Sequence, residues 1–519
     1  MTLGDLLGRL GRLVPLAGVD AVETADLARP VTAVEHDSRR VTPGAVFVAV
    51  RGQRADGAAF AAHARERGAV AVVADTAPPA DWPTPWLVVG EARLALAAGA
   101  AVLAGHPSEA LLLVGITGTN GKTTTAHLLA SILDAAGRRA GLIGTTGYRV
   151  GTVEREATRT TPEAPEVQRM LREMVEAGCA ACAMEVSSHA LALRRADFLR
   201  FSAAVFTNLT RDHLDFHESM EAYFLAKRRL FEMLPRGAPA IVNADDPCGV
   251  RLATEFRHAV TYGLDRAADV SCSSLSLALD GLRCEIRTPR GTLALASPLV
   301  GRPNAYNVLA AATTALALDL PFDAIERGVA ALAHVPGRFQ TVSGPADDIA
   351  LVVDYAHTDD ALRNLLETAR PLTRGRLIVV FGCGGDRDRT KRPLMGAVAA
   401  RLSDLAVLTS DNPRSEDPGA IIDDIVKGIA PPDRPALRGG HAGAHDGPPR
   451  WFVEVDRREA IFRAVAEARA GDLVLVAGKG HEKYQEIGGR VLPFDDVDTG
   501  TAALAWRRER TTAGAGARR

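Results

Sequence analysis

The feature that most constrains this chain is a continuous apolar run at 110–116, followed by the segment Gly115-Ile116-Thr117-Gly118-Thr119-Asn120-Gly121-Lys122-Thr123-Thr124-Thr125 and a helical pattern at 124–136. An unbroken apolar run predicts a strand buried on both faces. A Gly-rich turn between such a strand and a helix is the setting of a phosphate-binding loop. The glycines let backbone N–H groups approach phosphate oxygens, and the helix N-terminus adds partial positive charge. Lys122 would reach the β- and γ-phosphates, and the Thr123 hydroxyl would ligate magnesium. The spacing departs from G-x-x-x-x-G-K-[ST], because Ile116 stands where the first glycine belongs. The cradle is then the shorter Gly118, Thr119, Asn120 and Gly121, with Thr124 in the first helical turn.

Strand-like runs recur at 142–143, 180–186, 203–206 and 240–242, with helical segments between most of them. Such alternation predicts a parallel, doubly wound sheet. Upstream, 45–50, 69–73 and 87–89 read as strands and 91–105 as a helix ended by His106-Pro107-Ser108. Downstream, 270–296 resembles β-ribbon, and 304–318 and 322–333 are helical. After Val335-Pro336-Gly337, strands at 350–354, 377–381, 405–409 and 473–477 again alternate with helices. The expected architecture is α/β in three domains. A small α/β domain spans 1–108, a central parallel-sheet nucleotide-binding domain 109–336, and a Rossmann-like α/β domain 337–519. A chain of 519 residues suits that count at about 150 residues per domain. The Pro/Gly/His-rich stretch 431–450 reads as a mobile loop, and 511–519 as a frayed tail.

With 47% apolar residues and a net charge of −2, the chain is neither disordered nor a general nucleic-acid binder. No secretory leader and no membrane-spanning run stand out, so a cytoplasmic protein without membrane insertion is expected, as a monomer. Of the six cysteines, Cys179 and Cys182 lie in an apolar run and read as buried thiols. Of the 61 basic residues only six are lysines: Lys122, Lys227, Lys391, Lys427, Lys479 and Lys483. An ammonium has uses that a guanidinium cannot imitate, so their places matter.

Glu185 ends one predicted strand, and His213 follows the next, so both can face the ligand crevice of a doubly wound sheet. Lys227 lies in a segment that reads as a helix. The phosphate loop, the segment Glu185-Val186-Ser187-Ser188-His189, the segment 207–217 and the Ala226-Lys227 helix occur in the order found in the Mur ligases, and the chain resembles that family from about Asp37 to Glu482. The resemblance implies ATP and magnesium, with Glu185 and His213 as metal ligands beside Thr123. It implies that Lys227 is carbamylated to N6-carboxylysine, a step that needs a neutral amine. Lys122, Glu185, His213 and Lys227 are then the catalytic set. Asn304, Asn307, Arg338 and Asp354 resemble further ATP contacts. Ser38, Gln53, Arg54 and Ala55 resemble contacts to a UDP group, and Thr160, Thr161, Ser187 and Arg195 contacts to a muramoyl peptide. Leu193 stands where many members have Gln, and Asp359 where Pro is usual.

Asp411, Asn412, Pro413 and Arg414 resemble the signature of members that add meso-diaminopimelate. Arg414 could fork onto its distal carboxylate, and Glu482 could meet its distal ammonium. Arg387 and Gly478 would complete that pocket. A free lysine lacks the carboxylate, and a site with an unpaired Arg would reject it. The implied reaction joins diaminopimelate to UDP-N-acetylmuramoyl-L-Ala-D-Glu through an acyl phosphate, in peptidoglycan synthesis. The rivals are a lysine-adding relative, a ligase like folylpolyglutamate synthase, and a nucleotide-driven switch or motor that forms no bond.

Overall fold

The computed structural model describes residues 1–52, 55–429 and 450–516. The chain falls into two compact units. The first comprises Met1–Ser273 with Ile286–Leu293 and Tyr306–Ala331. The second comprises Ser274–Glu285, Ala294–Ala305 and the described residues from Leu332 onward.

The first unit opens with helix Leu3–Leu10, which the sequence reading did not identify. Thr2 caps it reciprocally with Asp5, and its leucines enter an apolar core with helix Ala92–Ala104. Both pack near a five-stranded sheet in the order Leu16–Ala17, Trp86–Val89, Ala71–Ala74, Ala45–Ala49, Ala33–Glu35. Only the Leu16–Ala17 edge runs antiparallel. Every residue of Ala45–Ala49 is buried, as its unbroken apolar run required.

The same unit holds a parallel sheet in the order Ala259–Gly263, Ala240–Asn243, Ala203–Phe206, Leu112–Thr117, Ala181–Glu185, Ala140–Gly144. The sequence reading found these strands apart from Ala259–Gly263, with ends shifted by one or two residues. An antiparallel extension, Gly147–Val150 and Val153–Arg155, was not foreseen. The expected ribbon is present as strands Val270–Ala278, Gly281–Thr288 and Gly291–Ser297.

Leu112–Thr117 lies between Ala181–Glu185 and Ala203–Phe206. From it the chain first winds to one side and then to the other. That is a topological switch point, and the carboxyl ends of these three strands form the ligand crevice.

The second unit has its own sheet, in the order Gln340–Thr341, Ala350–Asp354, Leu473–Ala477, Leu377–Phe381, Leu405–Leu408, Arg450–Val453. All but the first strand are parallel, and each sheet face carries an apolar core. The expected mobile loop at 431–450 lies outside the described residues, except that Arg450 already begins a strand. The expected frayed tail is corrected. Helix Asp496–Gly516 runs through most of it, because Arg507 forks onto Asp348 and Arg508 pairs with Asp347 just before it. Residues 517–519 lie outside the described residues. No described helix is long and apolar enough to cross a membrane.

Two glycines show how closely elements pack. A Cβ on Gly428 would lie 1.8 Å from the Pro393 carbonyl oxygen, and one on Gly396 would lie 2.2 Å from that of Ile425. Helices Lys391–Leu402 and Pro418–Ile429 therefore meet backbone to backbone. Gly8, within Leu3–Leu10, has open space instead. Ala is a better helix former than Gly by about 1 kcal/mol. Gly8→Ala should therefore stabilise the protein by roughly that amount, whereas Gly428→Ala should destabilise it by ~1–3 kcal/mol through overpacking. Denaturant unfolding of both variants checks the opposite signs.

Candidate active site

The phosphate loop follows Leu112–Thr117 and precedes helix Lys122–Ala135, as the sequence required. Gly118 has φ +148°, and a Cβ there would lie 1.9 Å from Thr207 Oγ1. Gly121 has φ +87°, and its Cβ would lie 2.4 Å from Asn307 Oδ1. Neither position admits a side chain. The loop is braced from the neighbouring strand. Asn208 Oδ1 accepts from the Asn120 amide at 2.9 Å, and Thr207 Oγ1 donates to the Asn120 carbonyl at 2.6 Å. Sequence reasoning passed over Thr207 and Asn208, although both stood in a segment already singled out. Lys122 Nζ donates to the carbonyls of Gly118 (2.9 Å) and Thr119 (2.8 Å). Thr124 is buried in the first helical turn.

Glu185 ends its strand almost fully buried, and a Cβ on Gly144 would lie 2.3 Å from its Oε1. Thr145 donates to Oε1 from its amide at 2.8 Å and to Oε2 from its hydroxyl at 3.1 Å. Thr123 Oγ1 donates to Oε2, also at 3.1 Å. Two neighbouring oxygens of an octahedral magnesium site stand about 2.9 Å apart, given Mg–O distances near 2.0–2.1 Å. The Thr123–Glu185 pair therefore fits that hard cation.

Lys227 is 1% exposed, on helix Met220–Glu232. Its Nζ donates to the Gly118 carbonyl at 2.7 Å and sits 4.4 Å over the Tyr223 ring. Tyr223 in turn shares a hydrogen bond of 3.2 Å with Thr119 Oγ1. Burial, reinforced by the Lys122 charge, pushes the Lys227 amine well below the ordinary lysine range.

His213, at φ +53°, stands edge-on to His189 at 4.7 Å and to Tyr223 at 6.0 Å. His217 Nε2 meets Ser188 Oγ at 2.9 Å. Burial holds His189 and His217 down to about 4 and lowers His213 as well. These imidazoles are neutral near pH 7, the form in which nitrogen ligates a metal. His189 and His217 were missed by sequence reasoning, though both lie in segments it quoted.

Beside Glu185, Thr161 Oγ1 donates to the Glu185 carbonyl at 2.9 Å and accepts from the Ser187 amide at 3.1 Å. Thr160 and Thr145 share a hydroxyl contact of 3.0 Å. Arg195 donates to the Thr161 carbonyl at 3.2 Å and pairs with Glu163 at 2.9 Å. Thr160, Thr161, Ser187 and Arg195 thus form one patch, with Glu163 as a partner not foreseen. Leu193 closes the short helix Ser188–Ala192. Ser38 is buried after strand Ala33–Glu35, and its Oγ meets His63 Nδ1 at 3.0 Å. Ala55 follows the adjacent parallel strand, where its carbonyl accepts from the Gly52 amide at 2.9 Å. Gln53 and Arg54 lie outside the described residues.

In the second unit, Asp354 accepts from the amides of Ala356 (2.8 Å) and Phe339 (2.7 Å). Arg338 stacks 4.8 Å over Tyr355, and Asn304 donates to the Val300 carbonyl at 2.8 Å. Arg414, at φ +54°, donates to the Gly385 carbonyl at 2.6 Å and faces Glu486 at 3.3 Å. A Cβ on Gly384 would lie 3.0 Å from Arg414 Nη1 and 3.9 Å from Arg387 Cγ, so the two arginines flank that glycine. Gly385 packs against the Pro413 carbonyl. Gly478 has φ +118°, and a Cβ there would lie 2.5 Å from Asp411 Oδ2. Glu482 accepts from Asn412 Nδ2 at 2.9 Å, and Lys479 is wholly buried beside both. The structure puts Lys479, one of the six lysines, in the middle of the cluster.

The buried Lys227 amine yields a stability prediction. The unfolded chain keeps its lysine proton up to about pH 10, whereas the folded chain releases it earlier. Stability therefore rises with pH across that interval. Lys227→Met removes the cost, and Gly118 keeps Lys122 as its donor. The variant should melt higher than wild type at pH 7, with the gain shrinking toward pH 10. Thermal unfolding at several pH values checks this.

Comparison with known proteins gives matches along most of the chain. The Mur ligase middle domain matches residues 116–315, the Mur ligase glutamate ligase domain residues 337–480, and the Mur ligase family catalytic domain residues 30–127. A curated relative from Gloeobacter violaceus, named UDP-N-acetylmuramoyl-L-alanyl-D-glutamate–2,6-diaminopimelate ligase, is 47% identical over 97% of this chain and 99% of its own. A relative of the same name from Bacillus licheniformis is 44% identical over 91% of this chain and 94% of its own. A solved structure of a ligase of that name superposes with a TM-score of 0.66 at 33% identity, covering 98% of this chain and 99% of the other. On these matches, the chain belongs to the Mur ligase family.

Proposed function

We propose that this chain uses ATP to join meso-diaminopimelate to UDP-N-acetylmuramoyl-L-Ala-D-Glu, as a cytoplasmic monomer acting in peptidoglycan synthesis. Its working parts would divide at 1–108, 109–336 and 337–519. The observation that carries the amino-acid choice is the cluster of Arg387, Asp411, Asn412, Arg414 and Glu482, which sets guanidinium and carboxylate groups among loops following parallel strands. A substrate with a carboxylate and an ammonium at its far end suits both charges. The curated relatives' shared name supports the same substrate.

The D-Glu γ-carboxylate attacks the γ-phosphorus of ATP, and ADP leaves. The amine of diaminopimelate then attacks the acyl carbon, phosphate leaves, and the amine loses a proton to form the amide. Little covalent work falls to the protein, so catalysis is positioning and charge stabilisation. The glycine-shaped loop aligns its amides on phosphate oxygens, and Lys122 turns from its loop carbonyls to the terminal phosphates. Thr161, Ser187 and Arg195 orient the muramoyl peptide, while Ser38 with Gln53, Arg54 and Ala55 holds the UDP end. Asn304, Asn307, Arg338 and Asp354 serve the nucleotide. Thr123, Glu185 and the neutral His213 would hold magnesium, which supplies charge neutralisation on the phosphates.

Lys227 is the residue for carbamylation. Its amine is held well below the ordinary lysine range, which favours the neutral form that carbon dioxide takes up, and a carbamate anion would relieve the crowding of Lys122 and Lys227 on Gly118.

The decisive experiment supplies ATP, the UDP-dipeptide and labelled diaminopimelate or lysine, and weighs the product. Diaminopimelate tripeptide should form, with ADP and phosphate in equal amounts. Phosphate release without an acceptor, or equal use of lysine, overturns the reading. Both Lys227→Ala and Lys227→Arg should lower kcat by about a hundredfold or more, the scale of losing a charge-stabilising group. A ¹³C carbamate signal should appear in wild type and vanish in both variants.

A further inference from the structure

Lys479 is 0% exposed, in the turn that follows strand Leu473–Ala477. Its Nζ lies 2.8 Å from Asn412 Oδ1, 3.5 Å from Asp411 Oδ1 and 3.4 Å from Glu482 Oε2. An ammonium has three donors, and here three oxygens from two loops surround it. A guanidinium is planar and could not meet them in the same way. The turn leaves Lys479 little freedom. Gly478 takes φ +118° against Asp411, and Gly480 takes φ +54° with a Cβ position 2.7 Å from Tyr355 Cβ. Asn412 ties the group together, donating to Glu482 and accepting from the Glu486 amide at 3.0 Å.

The charge count is uneven. Arg457, buried nearby, forks onto Asp496 at 2.8 and 2.7 Å, and its charge reaches Asp411 and Glu482 without a hydrogen bond to either. Among the described residues, Lys479 is the cation that pairs directly with these two carboxylates, Asp411 and Glu482. A buried cluster with one negative charge in excess is costly, and an arriving cation relieves it. Burial pushes the Glu482 carboxyl up, and Lys479 is the largest influence holding it down.

We propose that Lys479 is the positioning residue of the amino-acid pocket: it locks Asp411, Asn412 and Glu482 into one unit that is one cation short, and so selects an amino acid with a distal ammonium. This rests on the reading that the pocket takes diaminopimelate. The distal carboxylate, met by Arg414, excludes plain lysine; the distal ammonium, met by the Lys479 unit, excludes an amino acid with the carboxylate alone.

The test compares meso-diaminopimelate with 2-aminopimelate, which keeps the distal carboxylate and lacks the distal amine. Wild type should favour diaminopimelate at least tenfold in KM. In Lys479→Met, KM for diaminopimelate should rise at least tenfold and that preference should shrink, while KM for ATP and for the UDP-dipeptide stays within twofold. Lys479→Arg should behave like Lys479→Met, and it serves in its place if the methionine variant does not fold. In a Glu482→Gln background, removing Lys479 should cost several-fold less than in wild type. Equal KM for the two amino acids in wild type, a rise of all three KM values in step, or strictly additive effects of Lys479→Met and Glu482→Gln each overturn the proposal. Wild type that incorporates no diaminopimelate at all overturns the function proposed above instead.

Discussion

Two ammonium groups donate to one carbonyl oxygen, that of Gly118, and much of the first unit is arranged around this arrangement. Lys122 arrives from the helix that the phosphate loop opens, and Lys227 from a helix a hundred residues later. Like charges so close repel, and burial together with the Lys122 charge pushes the Lys227 amine well below the ordinary lysine range. The strain has two natural reliefs. In the proposed reaction, anionic phosphate would draw Lys122 away, or carbamylation would turn Lys227 into an anion. A site poised in this way favours negative charge without any excess of positive charge on the molecule as a whole.

That arrangement depends on backbone space. Gly118 lets the loop pass against Thr207, Gly121 lets it pass against Asn307, and Gly144 makes room for the Glu185 carboxylate. Each approach is closer than a Cβ allows; two of them hold the loop, and the third seats the carboxylate that Thr123 meets. The switch point of the parallel sheet brings those neighbours together, because the strands carrying Glu185 and Thr207 flank the strand that feeds the loop. The second unit repeats the device: loops after Leu405–Leu408 and Leu473–Ala477 meet around one buried ammonium.

The legible parts of the fold were those where burial leaves a simple pattern. Unbroken apolar runs located Ala45–Ala49, Leu377–Phe381 and Leu473–Ala477 almost to the residue. Helix Leu3–Leu10 was passed over, although Thr2, Asp5 and its leucine spacing formed a capping box before an apolar stripe. The hairpin joining Tyr484–Ile487 to Arg490–Pro493 was also available, since Gly488 and Gly489 both take positive φ in a two-residue turn. The continuing C-terminal helix was not available, because what holds it are ion pairs to Asp347 and Asp348, far away in sequence.

By itself the sequence determined the phosphate loop, the order of strands and helices, and which side chains stand at strand ends, because glycine, apolar runs and strand-to-loop position are local properties. Which groups share a proton, a carbonyl or a charge was decided only by the tertiary structure. His213 and His217 become partners of His189 only once two segments converge. Lys227 and Lys479 look like any lysines in the chain; burial against Gly118, and among Asp411, Asn412 and Glu482, makes each of them particular. Hydrogen bonds and charges act through space over a few ångströms, and sequence distance says nothing about which of them will meet.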